Sequence, residues 1–276
     1  MIHFIVDSTF GIDPTYAFEH KVEVVNLKLI LEGKVTDEGF ESDWEEFYNR
    51  LEASKEFPTT SQPSPQDFSD AINKITLKDP QAQIVILTIS SALSATVNSA
   101  AVALKDHGGK NITVIDSGQA SACQRLMLEE IVEAVEKGLA FEEIESFASS
   151  LQEKLSIYFV PSTMEYLKRG GRIGVLSATL ASVLQIKPIF LFRKGSISVA
   201  KKVLGLGRAL KEMTELVSKN FKKIYVCYIH EKTNLNHLLE KVKQTLGLDN
   251  LPVVAVSPVF GAHVGIGAVG IAALEY

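Results

Sequence analysis

Thr60, Ser61 and Gln62 present two hydroxyls and an amide directly before a predicted helix start. Ser64 favours the N-cap position of that helix, and Pro65 suits its first position because an N–H there has no helical partner to lose. A helix N-terminus carries partial positive charge and unpaired N–H groups, which attract anions. The segment therefore indicates either a well-capped helix or a binding site for the acidic head of a ligand.

A second hydroxyl-rich segment, SSALSAT at 90–96, follows a predicted buried strand. Ligands of open α/β sheets bind outside the carboxyl ends of the strands. We therefore predict that Thr60, Ser61 and Ser91 surround one anion position, and we assign Ser94 to the same ligand. Ordinary helix capping is the alternative, because serine is favoured at helix starts in any protein.

Two basic side chains of the second half have glycine-rich surroundings. His263 lies in the segment GAHVG without bulky neighbours in the sequence, which indicates a ligand-facing role, with a structural histidine as the alternative. Arg172 lies beyond the glycines that end a predicted helix over 165–169, where its guanidinium can pair with a carboxylate or phosphate. A solvated surface cation is the alternative for this arginine. If the ligand lies between two domains, we expect both side chains at the mouth of its pocket.

Catalytic signatures are missing from the sequence. The motifs GxSxG, HExxH and GxxxxGK[ST] do not occur. A GxGxxG match at 265–270 lacks the following helix and acidic residue that a dinucleotide site needs, so it indicates a backbone that approaches another group closely. Hydroxyls without an adjacent base suit hydrogen bonding better than nucleophilic attack. We therefore predict a binding protein without catalytic residues; the alternative is a serine acyl-hydrolase or acyltransferase that uses Ser91 or Ser61 with His263.

Charge and composition narrow the classes of partner. The 276 residues carry a formal net charge of −5 with both signs spread along the chain, so nucleic acid is not an expected partner. Cys123 and Cys227 are far apart and have apolar neighbours, which argues against a disulfide framework or a metal site and fits a reducing cytoplasm. No window approaches the ~18 uncharged apolar residues of a membrane span, and the N-terminus does not resemble a signal peptide. We expect a cytoplasmic protein without a metal and without stable membrane insertion.

Strand and helix patterns alternate along the first half, which predicts the α/β class. The apolar runs at 84–89 and 112–115 are typical of strands buried on both faces. The second half has a different pattern, with a hairpin signal at 193–195. We predict two α/β domains: 1–155 with an open, mostly parallel sheet, and 156–276 with a smaller mixed sheet and helices.

The motifs, in their order, resemble the DegV family of bacterial fatty-acid-binding proteins. The segments TSQPSP (60–65) and EYLKRGGRIG (165–174) are specific to this resemblance. Further segments support it by their order and extend it over nearly the whole chain: IVDST (5–9), SSALSAT (90–96), VIDSGQAS (114–121), LQIKPI (184–189) and HVGIGAVG (263–270). The resemblance implies two α/β domains with an acyl chain buried between them and its carboxylate held by hydroxyls.

The resemblance also implies partners. Some family members are the acyl-carrying subunit of fatty acid kinase and present a bound fatty acid to a kinase subunit. The expected partners are therefore a long-chain fatty acid, with no other cofactor, and a fatty acid kinase catalytic subunit. This chain departs from the family pattern at Ala92 and Ala95, where glycines are usual, and at 204–206, where LGL replaces an arginine-rich stretch. The second departure weakens a basic element near the expected surface for the kinase.

Overall fold

A computed structural model describes residues 1–109, 111–172, 186–217 and 219–276. The strands, in chain order, are β1 (Ile2–Asp7), β2 (Val22–Val25), β3 (Lys28–Leu31), β4 (Lys34–Asp37), β5 (Thr59–Ser61), β6 (Gln83–Thr88), β7 (Ile112–Asp116), β8 (Leu155–Val160), β9 (Ile186–Arg193), β10 (Ser196–Leu204), β11 (Phe221–Tyr228), β12 (Val253–Ala255) and β13 (Val269–Glu275).

The α-helices within these described ranges are α1 (Pro14–Glu19), α2 (Trp44–Ala53), α3 (Pro65–Thr76), α4 (Thr96–Asp106), α5 (Ala122–Glu136), α6 (Ile144–Lys154), α7 (Glu165–Gly170), α8 (Leu206–Leu216), α9 (Thr233–Leu246) and α10 (Pro258–Val264). The helical pattern that the sequence shows over 176–184 lies outside the described residues, as do Ile173 and Gly174.

The first sheet is parallel throughout and has the strand order β2-β1-β6-β7. Its strand β6 is buried on both faces, as its continuous apolar run predicts. Ile84 and Ile86 pack with Phe68 of α3, whereas Val85 and Leu87 belong to the larger core cluster on the other face. The carboxyl ends of these parallel strands meet at one edge of the sheet.

The second sheet is mixed and larger than the first. Its order is β10-β9-β8-β13-β11-β12, and all of its pairs are antiparallel except β11 with β12. The expectation of a smaller second sheet is therefore wrong, since six described strands form it against four in the first. The central strand β13 escaped the sequence analysis because its glycine and alanines have little β-propensity. The strand forms because β11 and β8 hydrogen-bond to it on its two sides.

Helices α5 and α6 precede residue 155 but contact strands of the second sheet. Cys123 and Met127 of α5 share one buried cluster with Leu155 of β8 and Ala272 of β13. The division at 155 stays a prediction, and the core is continuous across it. Intimate contact of this kind fits the absence of a Gly/Ser-rich linker in the sequence.

A small antiparallel sheet of order β4-β3-β5 lies beside the two larger ones. The sequence shows one β-rich segment over 22–31, but the chain divides it: β2 joins the parallel sheet and β3 joins the small one. Thr60 lies in β5 opposite Leu29. The predicted helix start follows at once, because Ser64 caps α3 in reciprocal hydrogen bonds with Asp67.

The described ranges contain no helix that is long and apolar enough to cross a membrane. Cys123 and Cys227 are both buried and form no disulfide. Within the same ranges, no three His, Cys, Asp or Glu side chains are grouped to hold a metal ion.

Candidate functional site

A cavity of about 440 Å³ lies between loops of the first half and the second sheet. This volume is in the range of small-molecule binding sites. Most of its wall is apolar, and both halves of the chain contribute to it; among the lining side chains are Leu27, Ile89, Phe159, Phe192, Val259 and Phe260. Such a wall binds hydrocarbon by excluding water rather than by hydrogen bonds.

Polar side chains collect at one part of this cavity. Thr60 Oγ1 and His263 Nε2 are 2.8 Å apart and hydrogen-bonded, although 203 positions separate them in the chain. Ser61 and Gln62 follow Thr60 along the wall and are exposed, so this part of the cavity faces solvent. Gln62 Nε2 also donates to Ser99 Oγ at 3.3 Å, which ties the segment to α4. The cavity therefore has an apolar interior and a polar, open end.

His263 is held in its neutral form by its surroundings. Burial, together with the smaller effect of the nearby Arg172 guanidinium, lowers the pKa of His263 to about 4. The atom Nδ1 is buried and has no hydrogen-bond partner among the described residues. Gly170 makes this packing feasible, since a Cβ at that position would lie 2.6 Å from Nδ1. The imidazole is thus an uncharged hydrogen-bonding group at physiological pH.

Arg172 lines the cavity and is exposed, so its guanidinium lies where the cavity opens. Nη1 donates to the carbonyl oxygen of Gly170 at 2.6 Å. This bond places the cation beside the glycine that packs on His263. The mouth is therefore electropositive, as a site for an anionic head requires.

Ser91 lies apart from the other predicted site residues. It is exposed and does not line the cavity. Its backbone N–H donates to both carboxylate oxygens of Asp116, at 3.2 and 3.1 Å, and a turn follows it. That turn brings Ser94 to the cavity wall instead, where its hydroxyl is 2.8 Å from Thr96 Oγ1. Of the six predicted residues, Thr60, Ser61, Ser94, Arg172 and His263 line the cavity and Ser91 does not.

The hydroxyls of Ser8 and Thr9, which follow β1, form hydrogen bonds with other groups of the protein. Asp7 is fully buried and accepts hydrogen bonds from Thr9 and from the Ile89 backbone N–H, the latter at 2.6 Å. Burial raises the pKa of Asp7 to about 6 despite these bonds. Ser8 donates to Glu38 at 2.5 Å. Polar side chains at a strand end alone thus do not identify the ligand site, because those of Asp7, Ser8 and Thr9 fasten loops to one another.

An aromatic contact fixes the segment before β5 over α7. The rings of Phe57 and Tyr166 are 5.0 Å apart, and the Arg169 guanidinium lies 3.9 Å from the centre of the Phe57 ring. Tyr166 packs in turn on Gly265, where φ is +91° and a Cβ would lie 2.9 Å from the ring. This close approach agrees with the interpretation of the GxGxxG match.

None of the apolar residues that line the cavity was predicted from the sequence as a site residue. Phe159, Phe192 and Val259 come from β8, β9 and α10, and their sequence patterns are those of ordinary core residues. Gln62 was visible in the same hydroxyl-rich segment as Thr60. Only the arrangement of the two halves leaves a cavity where packed core would otherwise be expected.

The serine-histidine pairs of the alternative enzyme are not formed. His263 bonds Thr60, whereas the Ser61 hydroxyl donates to the Gln62 carbonyl oxygen at 3.2 Å. A catalytic histidine is oriented by a third group, yet His263 Nδ1 has no partner in the part of the chain that the structure describes. This geometry suits hydrogen bonding to a ligand better than activation of a nucleophile.

We expect NMR titration of the ligand-free protein to give His263 a pKa near 4. Arg172→Ala should raise it, because a repelling charge is removed. Lys168→Ala, which removes a neighbouring exposed cation, should leave it unchanged.

Between about 4 and 6.5 the unfolded chain binds more protons at this histidine than the folded protein, so this group lowers stability as pH falls through that window. A wild-type pKa near 6.5 would contradict the buried, neutral imidazole.

The overall fold matches that of solved proteins. The structure is similar to that of a stearic-acid-binding protein from Eubacterium ventriosum, with a TM-score of 0.86 and 27% identity over 100% of this chain and 98% of that one. It is equally similar to a fatty-acid-binding DegV family protein from Thermus thermophilus, with a TM-score of 0.86 and 28% identity over 100% and 99% of the two chains.

Sequence comparison gives the same relationship. A DegV domain-containing protein of Clostridium perfringens is 34% identical over 277 residues, which cover 97% of this chain and 96% of the relative. The family model described as "Uncharacterised protein, DegV family" matches residues 1–276. The chain belongs to the DegV family.

Proposed function

We propose that this protein binds a long-chain fatty acid, with the acyl tail in the apolar cavity and the carboxylate at the polar end. The observation that carries the proposal is the asymmetry of the cavity: an apolar interior joins an open end that holds Thr60, His263 and Arg172. A fatty acid has the same asymmetry. The solved relatives from Eubacterium ventriosum and Thermus thermophilus, whose names record fatty acid binding, support this ligand class.

The tail supplies most of the affinity in this proposal. Burying one methylene contributes roughly 0.8 kcal/mol, so a dozen methylenes contribute on the order of 10 kcal/mol before the entropic cost of binding. A carboxylate near a helix N-terminus gains only about 0.3–2 kcal/mol from the dipole. The head group therefore sets orientation, and the apolar wall sets strength.

A carboxylate bound at the polar end determines which atoms of Thr60 and His263 carry a hydrogen. A carboxylate only accepts hydrogen bonds, so Thr60 must donate its hydroxyl hydrogen to the ligand. The Thr60 oxygen then accepts from His263, whose Nε2 must carry the hydrogen of the neutral imidazole. Nδ1 is left without a hydrogen, which fits its burial without a partner, since an unpaired acceptor is tolerated better than an unpaired N–H.

The proposed role is that of a carrier, with the fatty acid as its ligand and no further cofactor. The family resemblance implies a further partner, a kinase subunit that phosphorylates the bound acid. Because Arg172 lies at the open end, its cation could stabilise the negative charge of the phosphoryl group as it is transferred to the carboxylate.

Purification followed by native mass spectrometry and lipid extraction should find a bound fatty acid. In delipidated protein, affinity should fall about fourfold for each methylene removed from a saturated ligand, as burial of the tail requires. A protein that purifies without lipid and does not bind added fatty acids would refute the proposed function. If the affinity did not depend on the length of the acyl chain, the proposal that the tail lies in the cavity would be wrong.

Thr60→Val keeps the side-chain shape but removes the hydroxyl that donates to the carboxylate. We expect fatty acid affinity to fall by about tenfold, because a hydrogen bond to a charged group contributes about 1.5–3 kcal/mol. Thr59→Val changes the preceding residue of the same strand, which does not line the cavity, and should stay within about twofold of wild type. Equal affinities of the two variants would show that Thr60 does not hold the head.

Arg172→Ala separates binding from presentation to a kinase. Fatty acid affinity should change little, because Arg172 is exposed and solvent screens its charge, while the rate of acyl phosphorylation by a cognate kinase subunit should fall. The rate is measured with fatty-acid-loaded protein, and Lys168→Ala provides the matched loss of a nearby cation. A wild-type rate in Arg172→Ala would exclude a part for this residue in the transfer step.

A further inference from the structure

Helix α10 depends on outside contacts for its position. It has seven residues, and isolated helices of this length are not stable in water. Yet it carries His263 and contributes Val259, Phe260 and Val264 to the cavity wall. Whatever fixes this helix therefore fixes both the head site and part of the wall.

The small sheet β4-β3-β5 holds this helix at both ends. At its start, the Val259 backbone N–H donates to Glu38 Oε1 at 2.6 Å. At its last turn, His263 bonds Thr60. Glu38 directly follows β4, and Thr60 lies in β5; Lys28 and Leu29 of the central strand β3 pair with Asp37 and Thr60 respectively. The two holding groups thus lie in or directly after the two strands that flank β3.

The carboxyl of Glu38 is itself tightly fixed. The residue is 2% exposed. Its other oxygen accepts the Ser8 hydroxyl at 2.5 Å, and Ser8 Oγ accepts the Leu27 backbone N–H at 2.9 Å. The Glu38 backbone N–H donates to the Leu27 carbonyl oxygen at 3.0 Å. Because Leu27 lines the cavity, one chain of contacts joins the wall, the buried acid and the helix.

Other polar groups also face this carboxyl. The Ser257 hydroxyl, the Asp7 carboxyl and the Tyr48 phenol surround it. Burial raises the pKa of Glu38 to about 7, although the nearby Ser257 hydroxyl and the Ser8 and Val259 donors oppose the rise and Asp7 adds to it. A buried carboxyl is costly unless its bonds are made, so its contacts are specific rather than incidental.

We propose that Glu38 is a positioning residue of the head site: by holding the start of α10 it sets the position of His263 against Thr60. The inference rests on the proposed function for its effect on ligand binding, but not for its effect on His263. Glutamine at position 38 keeps an acceptor for the Val259 N–H. Aspartate keeps the carboxyl group but is one methylene too short to reach Ser8 and Val259 together.

The test compares full-length variants by NMR titration of His263 without ligand. In Glu38→Ala, the His263 pKa should rise from about 4 to about 5.5 or higher, because a displaced helix exposes the imidazole to water. Glu38→Gln should stay near wild type, and Glu38→Asp should lie between. Glu130→Ala controls for loss of another buried carboxyl: Glu130 is 5% exposed and pairs with Lys222 and Lys223. Its His263 pKa should equal that of wild type.

Fatty acid affinity is the second readout. It should fall by about tenfold in Glu38→Ala and stay within about twofold in Glu38→Gln and Glu130→Ala. A folded Glu38→Ala with the wild-type His263 pKa overturns the inference; if that variant does not fold, a wild-type pKa in Glu38→Asp overturns it equally. If wild type binds no fatty acid, the proposed function fails, while the titrations still decide the role of Glu38.

Discussion

The hydrogen bond between Thr60 and His263 joins the small sheet of the first half to the last helix of the chain. In the structure β5 pairs in register with β3, and the Val259 N–H at the start of α10 donates to Glu38. The bond lies at the polar, open end of the cavity, and the apolar wall lies behind it. Thr60 lies in the small sheet and His263 in helix α10, so the bond connects two elements that are far apart in the chain.

Polar groups in this protein have two different roles that look alike in the sequence. Asp7 and Glu38 are buried, and their hydrogen bonds fasten loops and a helix. Thr60, Ser61 and Arg172 reach the open end of the cavity and keep hydrogen-bonding capacity for a ligand. The difference is one of position: a buried polar group must be satisfied by the protein, whereas one at the mouth is shared with solvent or ligand.

Periodicity predicted the elements that have a strong local signal. The runs at 84–89 and 112–115 became β6 and β7, and Ser64 caps α3 in its reciprocal bond with Asp67. The same reasoning missed β13 and α10, because glycine and β-branched residues weaken the helical signal of α10, and glycine and alanines weaken the strand signal of β13. These two elements matter most for the site, since one is the central strand and the other carries His263.

By itself the sequence determined the α/β class and the acyl-binding family resemblance, and five of the six site residues predicted from it line the cavity, since residue types and local patterns carry that information. Only the tertiary structure decided that Ser94 rather than Ser91 reaches the wall, because the contact of Ser91 with Asp116 turns the loop. It also decided which apolar residues face a cavity instead of a packed core. Both outcomes depend on contacts between residues far apart in the chain, to which local propensity is blind.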